Sequence, residues 1–359
     1  MSSSIKLNDV IYSRYKITDY IGEGGMQYVY KAYDTGLGRN VALKTPKNSS
    51  GEKRFHNSAI YAAKINHPNV AGTFDYFDYE GRSFLIEELV DGLDLSKSIL
   101  KNVNYLDPHF VSRLFHKIIK GLAASHHKMI IHRDLKPSNI MVSGQFNLDE
   151  VKITDFGVSK LAESEIEGID FENEDSINAS ATAVGAIPYM APEAIDSDLN
   201  VGLKTDIWSF GAIMYEFLTG YKPFGKGLEA VRNILDGKEL RFPEFVRSNV
   251  QLKTLSLQLM KIIKSCLEPN YDVRPSADDL VATFSSLCYS TKKMKIGFVS
   301  AKHGKVMNFI KGERKDVFFH NNCIYGKHPI VGDRVLFSQY RGMPNDRGFP
   351  VVRIKPVSK

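Results

Sequence analysis

Residues 132–139, His-Arg-Asp-Leu-Lys-Pro-Ser-Asn, constrain this chain more than any other stretch. Their spacing is typical of a loop in which Asp134 accepts a hydroxyl proton, Lys136 lies against a transferred phosphate and Asn139 binds a metal ion. Residues 155–157, Asp-Phe-Gly, follow downstream and supply a second metal-binding carboxylate, Asp155. An aspartate in a polar loop is usually a turn residue, but the two blocks in this order indicate phosphoryl transfer.

Bulk composition predicts an ordinary globular protein of two or three domains, with 359 residues, 43% of them hydrophobic and 25% charged. The three cysteines are far apart and form no CxxC pair, which argues against a zinc site or a disulfide framework. The amino terminus lacks the apolar core of a signal peptide, and no apolar run reaches membrane-spanning length. The sequence therefore predicts a cytoplasmic protein without membrane contact.

Charge is distributed unevenly along the chain. Residues 291–359 contain 15 Lys and Arg against 4 Asp and Glu, a net charge of +11, whereas residues 1–290 carry −5. Such a basic tail favours a polyanionic partner, which would be nucleic acid, an anionic surface or an acidic protein. The alternative is a basic domain that is merely soluble.

Residues 21–29, Ile-Gly-Glu-Gly-Gly-Met-Gln-Tyr-Val, predict a turn between two strands that folds over phosphates, because glycine lets backbone amides approach closely. The pattern alone fits a hairpin turn equally well. It precedes the strand-like residues 41–44, Val-Ala-Leu-Lys, which end in a cation. That order is typical of a phosphate cover followed by a phosphate-binding lysine, Lys44.

With these motifs in place, residues 1–290 resemble a bacterial Hanks-type serine/threonine protein kinase. The resemblance extends to residues 191–193 (Ala-Pro-Glu), 206–211 (Asp-Ile-Trp-Ser-Phe-Gly) and 274–277 (Arg-Pro-Ser-Ala). It implies that Arg274 pairs with Glu193, and that these last blocks hold the loop without taking part in chemistry. Lys136 is the residue expected of the serine/threonine type.

The resemblance also implies ATP and Mg²⁺ as cofactors, with Mn²⁺ as an alternative metal. Asn139 and Asp155 would bind the metal. The residues expected to contact the nucleotide are Ile21, Gly22, Glu23, Gly24, Gly25, Val29, Ala42, Lys44, Glu88 and Val90.

Three positions depart from the family pattern. The helix that begins near Phe55 normally carries a glutamate that pairs with the lysine, and Ser58 stands at that position. Glu87 occupies the gatekeeper position, which is normally apolar, and we predict that it pairs with Lys44 instead. The alternative is a register slip of one residue that turns Glu87 to solvent. Ala186 replaces a threonine that normally bonds the catalytic Asp and Lys, which should loosen both.

Residues 155–193 form a long activation segment whose acidic, polar part we expect to stay mobile until something orders it. Ser176, Ser180 and Thr182 are the candidate phosphorylation sites, and Arg133 is the expected receptor for such a phosphate. The alternative is an unmodified, permanently disordered loop.

The tail changes to five short alternating strands, near residues 295–299, 306–310, 316–320, 333–337 and 350–354, which predict a small barrel. Their order resembles a cold-shock domain, an OB-type barrel that stacks single-stranded bases on aromatic rings. Phe309, Phe318 and His320 are the candidate contacts, although Met307 and Asn321 replace expected aromatics. Barrel packing, or a retained protein-interaction module, is the alternative.

Together these features predict a multidomain α+β chain with a bilobal kinase fold and a five-stranded barrel. The predicted units are a β-rich small lobe (1–90), a mostly helical large lobe (91–288), a polar linker (289–294) and the basic barrel (295–359). The expected activity is phosphorylation of protein serines or threonines, with single-stranded DNA or RNA as a partner of the barrel. The alternatives are a pseudokinase scaffold, or a nucleic-acid-binding protein with a regulatory kinase-like half. No feature of the sequence predicts an oligomeric state.

Overall fold

The structure, a computed structural model, describes residues 5–23, 27–47, 52–156, 185–196, 201–304 and 306–356, without the side chains of residues 52–54 and 58. The strands of its amino-terminal half are β1 (Val10–Ile11), β2 (Tyr15–Glu23), β3 (Gln27–Asp34), β4 (Arg39–Pro46), β5 (Thr73–Tyr79), β6 (Arg82–Glu88), β7 (Leu93–Asp94), β8 (Ile140–Val142) and β9 (Val151–Ile153). The strands near the carboxyl terminus are β10 (Lys295–His303), β11 (Met307–Ile310), β12 (Val317–His320), β13 (Arg334–Tyr340) and β14 (Arg347–Arg353).

The α-helices within these ranges are α1 (Glu52–Ala62), α2 (Pro108–His126), α3 (Pro192–Ile195), α4 (Leu203–Thr219), α5 (Gly227–Leu235), α6 (Glu244–Ser248), α7 (Lys253–Cys266) and α8 (Ala277–Ser286). A π-helix covers Ser96–Leu100. Within the described ranges, no helix is both long enough and apolar enough to cross a bilayer.

The amino-terminal part is an antiparallel six-stranded sheet in the order β1-β2-β3-β4-β6-β5. β4 is buried on both faces of the sheet, and its successive side chains point to opposite faces. Val41 and Leu43 pack into an apolar cluster on one face. On the other face, Leu85 of β6 packs against Phe55 of α1. Both hydrophobic layers fix the register of β4 against β6, and with it the direction of Lys44.

The middle of the chain is mostly helical, as predicted. Asp107 starts α2 by accepting hydrogen bonds from the backbone N–H groups of His109 and Phe110, at 2.9 and 3.1 Å. The apolar side chains of α2 recur at helical spacing and join one large core with Trp208 of α4. The buried α4 lies beneath the loop at residues 132–139, where it provides that loop with a rigid base.

β8 and β9, which follow the loop at residues 132–139, form a small three-stranded sheet with β7 in the order β7-β8-β9. The sequence predicted β8 and β9 as strands around a polar turn, and the structure confirms both. Asn139 immediately precedes β8, and Asp155 lies two residues after β9. Because β8 and β9 pair directly, they bring the two predicted metal ligands to the same end of the sheet.

The tail forms a closed barrel in the order β10-β11-β12-β14-β13, which confirms the five predicted strands. The interior of the barrel is apolar and includes Val299, Phe319 and Phe337. Neighbouring side chains on the same strands face outward to the helical core, as Leu336 and Val352 do. Alternate side chains of the barrel strands therefore pack either into the barrel interior or against the helical core.

The barrel is packed against the helical part. Tyr325 is fully buried, and its hydroxyl donates a 2.8 Å hydrogen bond to the carbonyl of Leu218 in α4. Its ring contacts those of Tyr105 and Phe245 edge-on. Residues 289–294, predicted as a polar linker, are also bound: the Arg113 guanidinium donates to the carbonyl of Lys292 at 3.0 Å. The segment is thus part of the packed structure.

Candidate active site and barrel face

Asp206 of α4 holds the loop that contains Asp134. Its carboxylate is fully buried and accepts hydrogen bonds from the backbone N–H groups of His132 and Arg133, both at 2.8 Å. The ring of His126 contacts the same carboxylate at 3.0 Å. A buried carboxylate with these partners fixes the backbone just before Asp134.

Asp134, Lys136 and Asn139 converge as the sequence predicted. Lys136 Nζ lies 2.8 Å from Asp134 Oδ2. Asn139 Nδ2 donates to the backbone carbonyl of Asp134 at 2.8 Å and to its Oδ2 at 3.0 Å. Ala186 is buried, and in the part of the chain that the structure describes, Asp134 is positioned by these two neighbours. They orient the Asp134 carboxylate where a threonine would otherwise have helped.

Lys44 lies between two carboxylates. Its Nζ is 2.5 Å from Glu87 Oε2 and 3.0 Å from Asp155 Oδ1. The side chains of Lys44 and Glu87 are only 7% and 6% exposed. The structure therefore places Glu87 in the pocket and not toward solvent. Asp155 has φ of +62°, in the left-handed region that few residues other than glycine adopt, as is common where side-chain contacts hold a functional residue.

Strand register explains how Glu87 reaches this position. Ala42 of β4 pairs with Glu87 of β6, and Lys44 pairs with Val29 of β3 on its other side. Directly opposed residues of an antiparallel pair share one face of the sheet. These side chains therefore all line the face that looks toward Asp155. The side chain of Ser58 lies outside the described residues.

The pKa values reflect one cation shared by two anions. Burial opposes the charge on Lys44, but the charges of Asp155 and Glu87 outweigh it and raise the pKa of the ammonium above its usual range. Burial would raise the pKa of Asp155, yet the neighbouring Lys44 lowers it to about 2. Burial raises the pKa of Glu87; Lys44 counters this in part, and the Asp155 charge adds to the rise.

Gln27 is a neighbour of this cluster that the sequence reasoning missed. Its Nε2 donates a 2.6 Å hydrogen bond to Asp155 Oδ1. It stands where the pattern G-x-G-x-x-G-x-V has its third glycine, so the departure itself was the signal that could have identified it. Gln27 Oε1 is buried, and no hydrogen-bond partner for it is found among the residues that the structure describes.

The predicted hinge is held by polar contacts. Glu88 accepts a hydrogen bond from the backbone N–H of Gly72 at 3.1 Å and pairs with Lys152 Nζ at 2.9 Å. Ala42 and Val90 are both buried. The small side chain of Ala42 and the apolar side chain of Val90 suit a ligand with a flat, apolar face.

The other predicted site residues lie at the glycine-rich turn or outside the described residues. Gly22 has φ of +151°, Ile21 is exposed, and Glu23 pairs with Lys47 at 3.0 Å at the entrance of the glycine-rich turn. Five predicted positions lie outside the described residues, and they are Gly24, Gly25, Ser176, Ser180 and Thr182.

The residues present fit a divalent cation of the magnesium type. Mg²⁺ is usually bound through one or two carboxylates together with substrate phosphates and water. Asp155 supplies one carboxylate, Asn139 supplies an amide, and Thr154 ties them together by donating its backbone N–H to the Asn139 carbonyl at 2.9 Å. In the described ranges, no group of three or more His, Cys, Asp or Glu side chains forms a metal cluster of its own. The amide of Gln27, which contacts Asp155 through its Nε2, has a buried oxygen for which the described residues provide no hydrogen-bond donor.

A cluster of aromatic side chains lies on the outer face of the barrel. Phe309 and Phe318 are half-buried neighbours on β11 and β12, with ring centroids 5.7 Å apart. The Arg347 guanidinium lies 4.9 Å from the centroid of Phe318. His320 is on the same strand as Phe318, and its Nδ1 accepts a hydrogen bond from the backbone N–H of Asn322 at 3.1 Å. Because Phe319, between them, points into the barrel, Phe318 and His320 face outward.

Comparison with known proteins agrees with this geometry. A family model described as the protein kinase domain matches residues 15–284 and ends before β10. The probable serine/threonine-protein kinase PknB of Lactococcus lactis is 31% identical over 291 residues, which cover 79% of this chain and 44% of that protein. The serine/threonine-protein kinase PrkC of Bacillus subtilis is 30% identical over 244 residues, covering 67% of this chain and 35% of that one.

The serine/threonine-protein kinase PknB of Mycobacterium leprae is 33% identical over 220 residues, which cover 59% of this chain and 33% of that protein. The chain thus spans less than half the length of these curated relatives. The match to the family model nevertheless extends over most of the sequence, from β2 into α8. On that ground the chain belongs to the protein kinase family.

Proposed function

We propose that this chain transfers the γ-phosphoryl group of ATP to serine or threonine hydroxyls of a protein substrate. The observation that carries the proposal is the contact of Lys44 with Asp155, which are 111 residues apart in sequence and 3.0 Å apart in space. This contact joins the phosphate-binding strand to the metal-binding segment. The relatives named above are themselves called serine/threonine-protein kinases, which supports the same conclusion.

Each side chain has a role that follows from its surroundings. Lys44 positions the phosphates of the nucleotide, and Asn139 and Asp155 would hold Mg²⁺, or Mn²⁺ in its place. When bound, the metal neutralises charge on the phosphates. Asp134, oriented by Lys136 and Asn139, accepts the proton of the attacking hydroxyl. The Lys136 ammonium stabilises negative charge on the phosphoryl group during transfer.

Phosphoryl transfer can be tested with radiolabelled ATP and Mg²⁺, followed by mapping of the labelled residues. We expect Asp134→Asn to reduce the rate by about 10²- to 10⁴-fold, the usual contribution of a general base. Asp278→Asn is the matched control, because this carboxylate is exposed and pairs with the exposed ring of His127 at the surface. Equal labelling by wild type and Asp134→Asn would contradict the proposal.

The main alternative is a pseudokinase scaffold, which the replacements at Ser58 and Ala186 favour. A scaffold would bind partners without transferring phosphate, so it has no chemical need for Lys44, Asp134 and Asp155 together. Wild-type protein that binds nucleotide but transfers no label over time would support the scaffold.

Phosphorylation of the activation segment is a further part of the proposal. Ser176, Ser180 and Thr182 are the expected sites, and Arg133 would bind the phosphate by charge-assisted hydrogen bonds. Mass spectrometry of protein incubated with ATP, with Asp134→Asn as the inactive control, tests this. Absence of phosphate on all three side chains in active wild-type protein would contradict it.

We propose single-stranded nucleic acid as the partner of the barrel. The paired rings of Phe309 and Phe318, flanked by Arg347, resemble a stacking platform, and the net charge of +11 in residues 291–359 favours phosphate. Such a cold-shock-like use of the barrel would also engage His320. The packing of the barrel against α4 means that a bound strand would be carried with the kinase part as one unit.

Fluorescence anisotropy of the whole chain with oligo-dT and oligo-U, at low and high salt, tests the partner. Loss of one stacked base costs roughly 1–3 kcal/mol, so Phe318→Ala should weaken binding by about tenfold. Phe74→Ala, an exposed aromatic on β5, is the control. Absence of saturable binding at low salt would contradict the proposal and favour a protein-interaction role.

A further inference from the structure

Gln27, the first residue of β3, departs from the usual pattern of the glycine-rich turn. In the pattern G-x-G-x-x-G-x-V, residues 22–29 place Gln27 at the third glycine. Gln27 pairs with Pro46 of β4 and shares a sheet face with Val29 and Lys44. A side chain at this position therefore projects toward Lys44 and Asp155, where glycine would leave open space.

The amide of Gln27 has a defined orientation. Asp155 Oδ1 is an acceptor, so the group at 2.6 Å from it must be the donor, Nε2. Gln27 Oε1 is then the acceptor of the same amide and does not bond to that carboxylate. Gln27 is only 7% exposed, and among the described residues its buried Oε1 has no hydrogen-bond partner. Burying a carbonyl oxygen without a partner is unfavourable, and a ligand at the site would remove that penalty.

The charges around Gln27 specify the kind of ligand. The Lys44 ammonium contacts two carboxylates, those of Glu87 and Asp155, so that negative charge exceeds positive charge in a buried space. A further cation would balance it. An amide oxygen is a hard neutral ligand of the type that Mg²⁺ and Mn²⁺ accept, and it adds no further negative charge.

We propose that Gln27 is an additional residue of the divalent-cation site. Its Oε1 supplies an oxygen to the cation, directly or through one bound water, while its Nε2 orients the Asp155 carboxylate. This inference rests on the proposed kinase function, because that function requires a metal ion at Asp155. It differs from it in assigning to the glycine-rich turn a side chain that takes part in metal binding.

Mn²⁺ binding, measured directly by electron paramagnetic resonance in the presence of a non-hydrolysable ATP analogue, tests this role. Two variants remove the amide in different ways: Gln27→Leu keeps its bulk, and Gln27→Gly restores the glycine. We expect both to raise the Kd for Mn²⁺ by about tenfold, as loss of a supporting metal-site group commonly does. Binding of the analogue without metal should stay within about twofold, because Gln27 acts through the cation. Gln251→Leu, at an exposed position, is the control.

The outcomes separate the two proposals. Wild-type binding of Mn²⁺ that both Gln27 variants match would contradict the role of Gln27 alone. Weakening by Gln27→Leu but not by Gln27→Gly would also contradict it, since bulk and not loss of the amide would then be responsible. Wild-type protein that binds no Mn²⁺ together with the analogue would contradict the kinase function itself. Thermal unfolding of each variant verifies that it is folded.

Discussion

Two sets of buried charged side chains, Arg274 with Glu193 and Lys44 with Glu87 and Asp155, differ in how their charges and hydrogen bonds are satisfied. Arg274 binds Glu193 through two hydrogen bonds, Nη1 to Oε1 at 2.6 Å and Nη2 to Oε2 at 2.9 Å. Thr205 donates to the same carboxylate at 2.8 Å. The guanidinium also donates to the backbone carbonyls of Lys204, Glu268 and Pro269.

The Lys44 cluster is the opposite case. One ammonium faces the carboxylates of Glu87 and Asp155, and within the described ranges the oxygen of Gln27 has no hydrogen-bond partner. Its polar groups are therefore not all satisfied by the part of the chain that the structure describes. The comparison teaches that burial of charge alone does not distinguish a structural pair from a functional one. In this comparison, the pair whose hydrogen bonds are supplied by the chain is the structural one.

The largest effect should follow from breaking the satisfied pair. Arg274→Met leaves the Glu193 carboxylate buried without a counterion, so we expect the free energy of unfolding to fall by about 3–5 kcal/mol. Urea unfolding measures it. The double variant Arg274→Met/Glu193→Met should lose much less, because no unpaired charge remains. A loss below about 1 kcal/mol for Arg274→Met would remove the contrast between the two pairs.

A smaller effect is expected in the Lys44 cluster, where activity should change and stability should not. Glu87→Leu removes one of the two carboxylates that orient Lys44, whose pairing with Asp155 remains. Misplacement of such a group by about 1 Å can cost about 100-fold, and we expect kcat/KM to fall by about that factor. Stability should change little because one of two repelling carboxylates is gone. Full kcat/KM in Glu87→Leu, with Asp278→Asn as control, would show that Glu87 does not replace the helix glutamate.

The pH dependence of stability should show the Lys44 cluster directly. The pKa of Asp155 is about 2 in the folded chain, below its ordinary value of about 3.9 in an unfolded chain. Its stabilising contribution is therefore fully present above about pH 4 and is lost as the pH falls toward 2. The stability advantage of wild type over Asp155→Asn should shrink by up to about 2 kcal/mol over that interval. Urea midpoints at several pH values measure it, and a constant advantage would contradict the assignment.

The smallest effect is expected for a pair with the geometry of Arg274 in which the cation has solvent access, although the Asp34 carboxylate is buried. Arg14 also binds its partner, Asp34, through two hydrogen bonds, at 2.7 and 2.8 Å, yet its side chain is 36% exposed. Asp34 keeps hydrogen bonds from the backbone N–H groups of Gly36 and Leu37. Arg14→Met should therefore lower the melting temperature far less than Arg274→Met does. Equal losses would show that geometry, and not burial, sets the strength of these pairs.

Much of the candidate site followed from local sequence. Asp134, Lys136 and Asn139 lie within six residues, so their spacing alone indicated their convergence. Glu87 was predicted from the resemblance, which placed it at the gatekeeper position near the lysine; the strand register then explains the contact, because residues opposed across neighbouring strands share a face. The helix α2 and the five barrel strands followed from periodicity, which depends only on short-range geometry.

Other features required the packed chain. The contact of Gln27 with Asp155 joins residues 128 apart in sequence, and no local pattern encodes such a distance. The same holds for Tyr325, which the sequence treated as part of a separate barrel but which is buried against α4. The linker at residues 289–294 was read as polar, and its carbonyls in fact accept hydrogen bonds from Arg113.

By itself, the sequence determined which residues are the candidates for the chemistry and which segments are helices or strands, because both depend on neighbours a few positions away. Only the tertiary structure decided that Asp155 joins Glu87 at Lys44, that Gln27 lies against Asp155 and that the barrel shares a core with α4. Those outcomes depend on long-range packing, where burial determines which charges must find partners and which atoms are left without one.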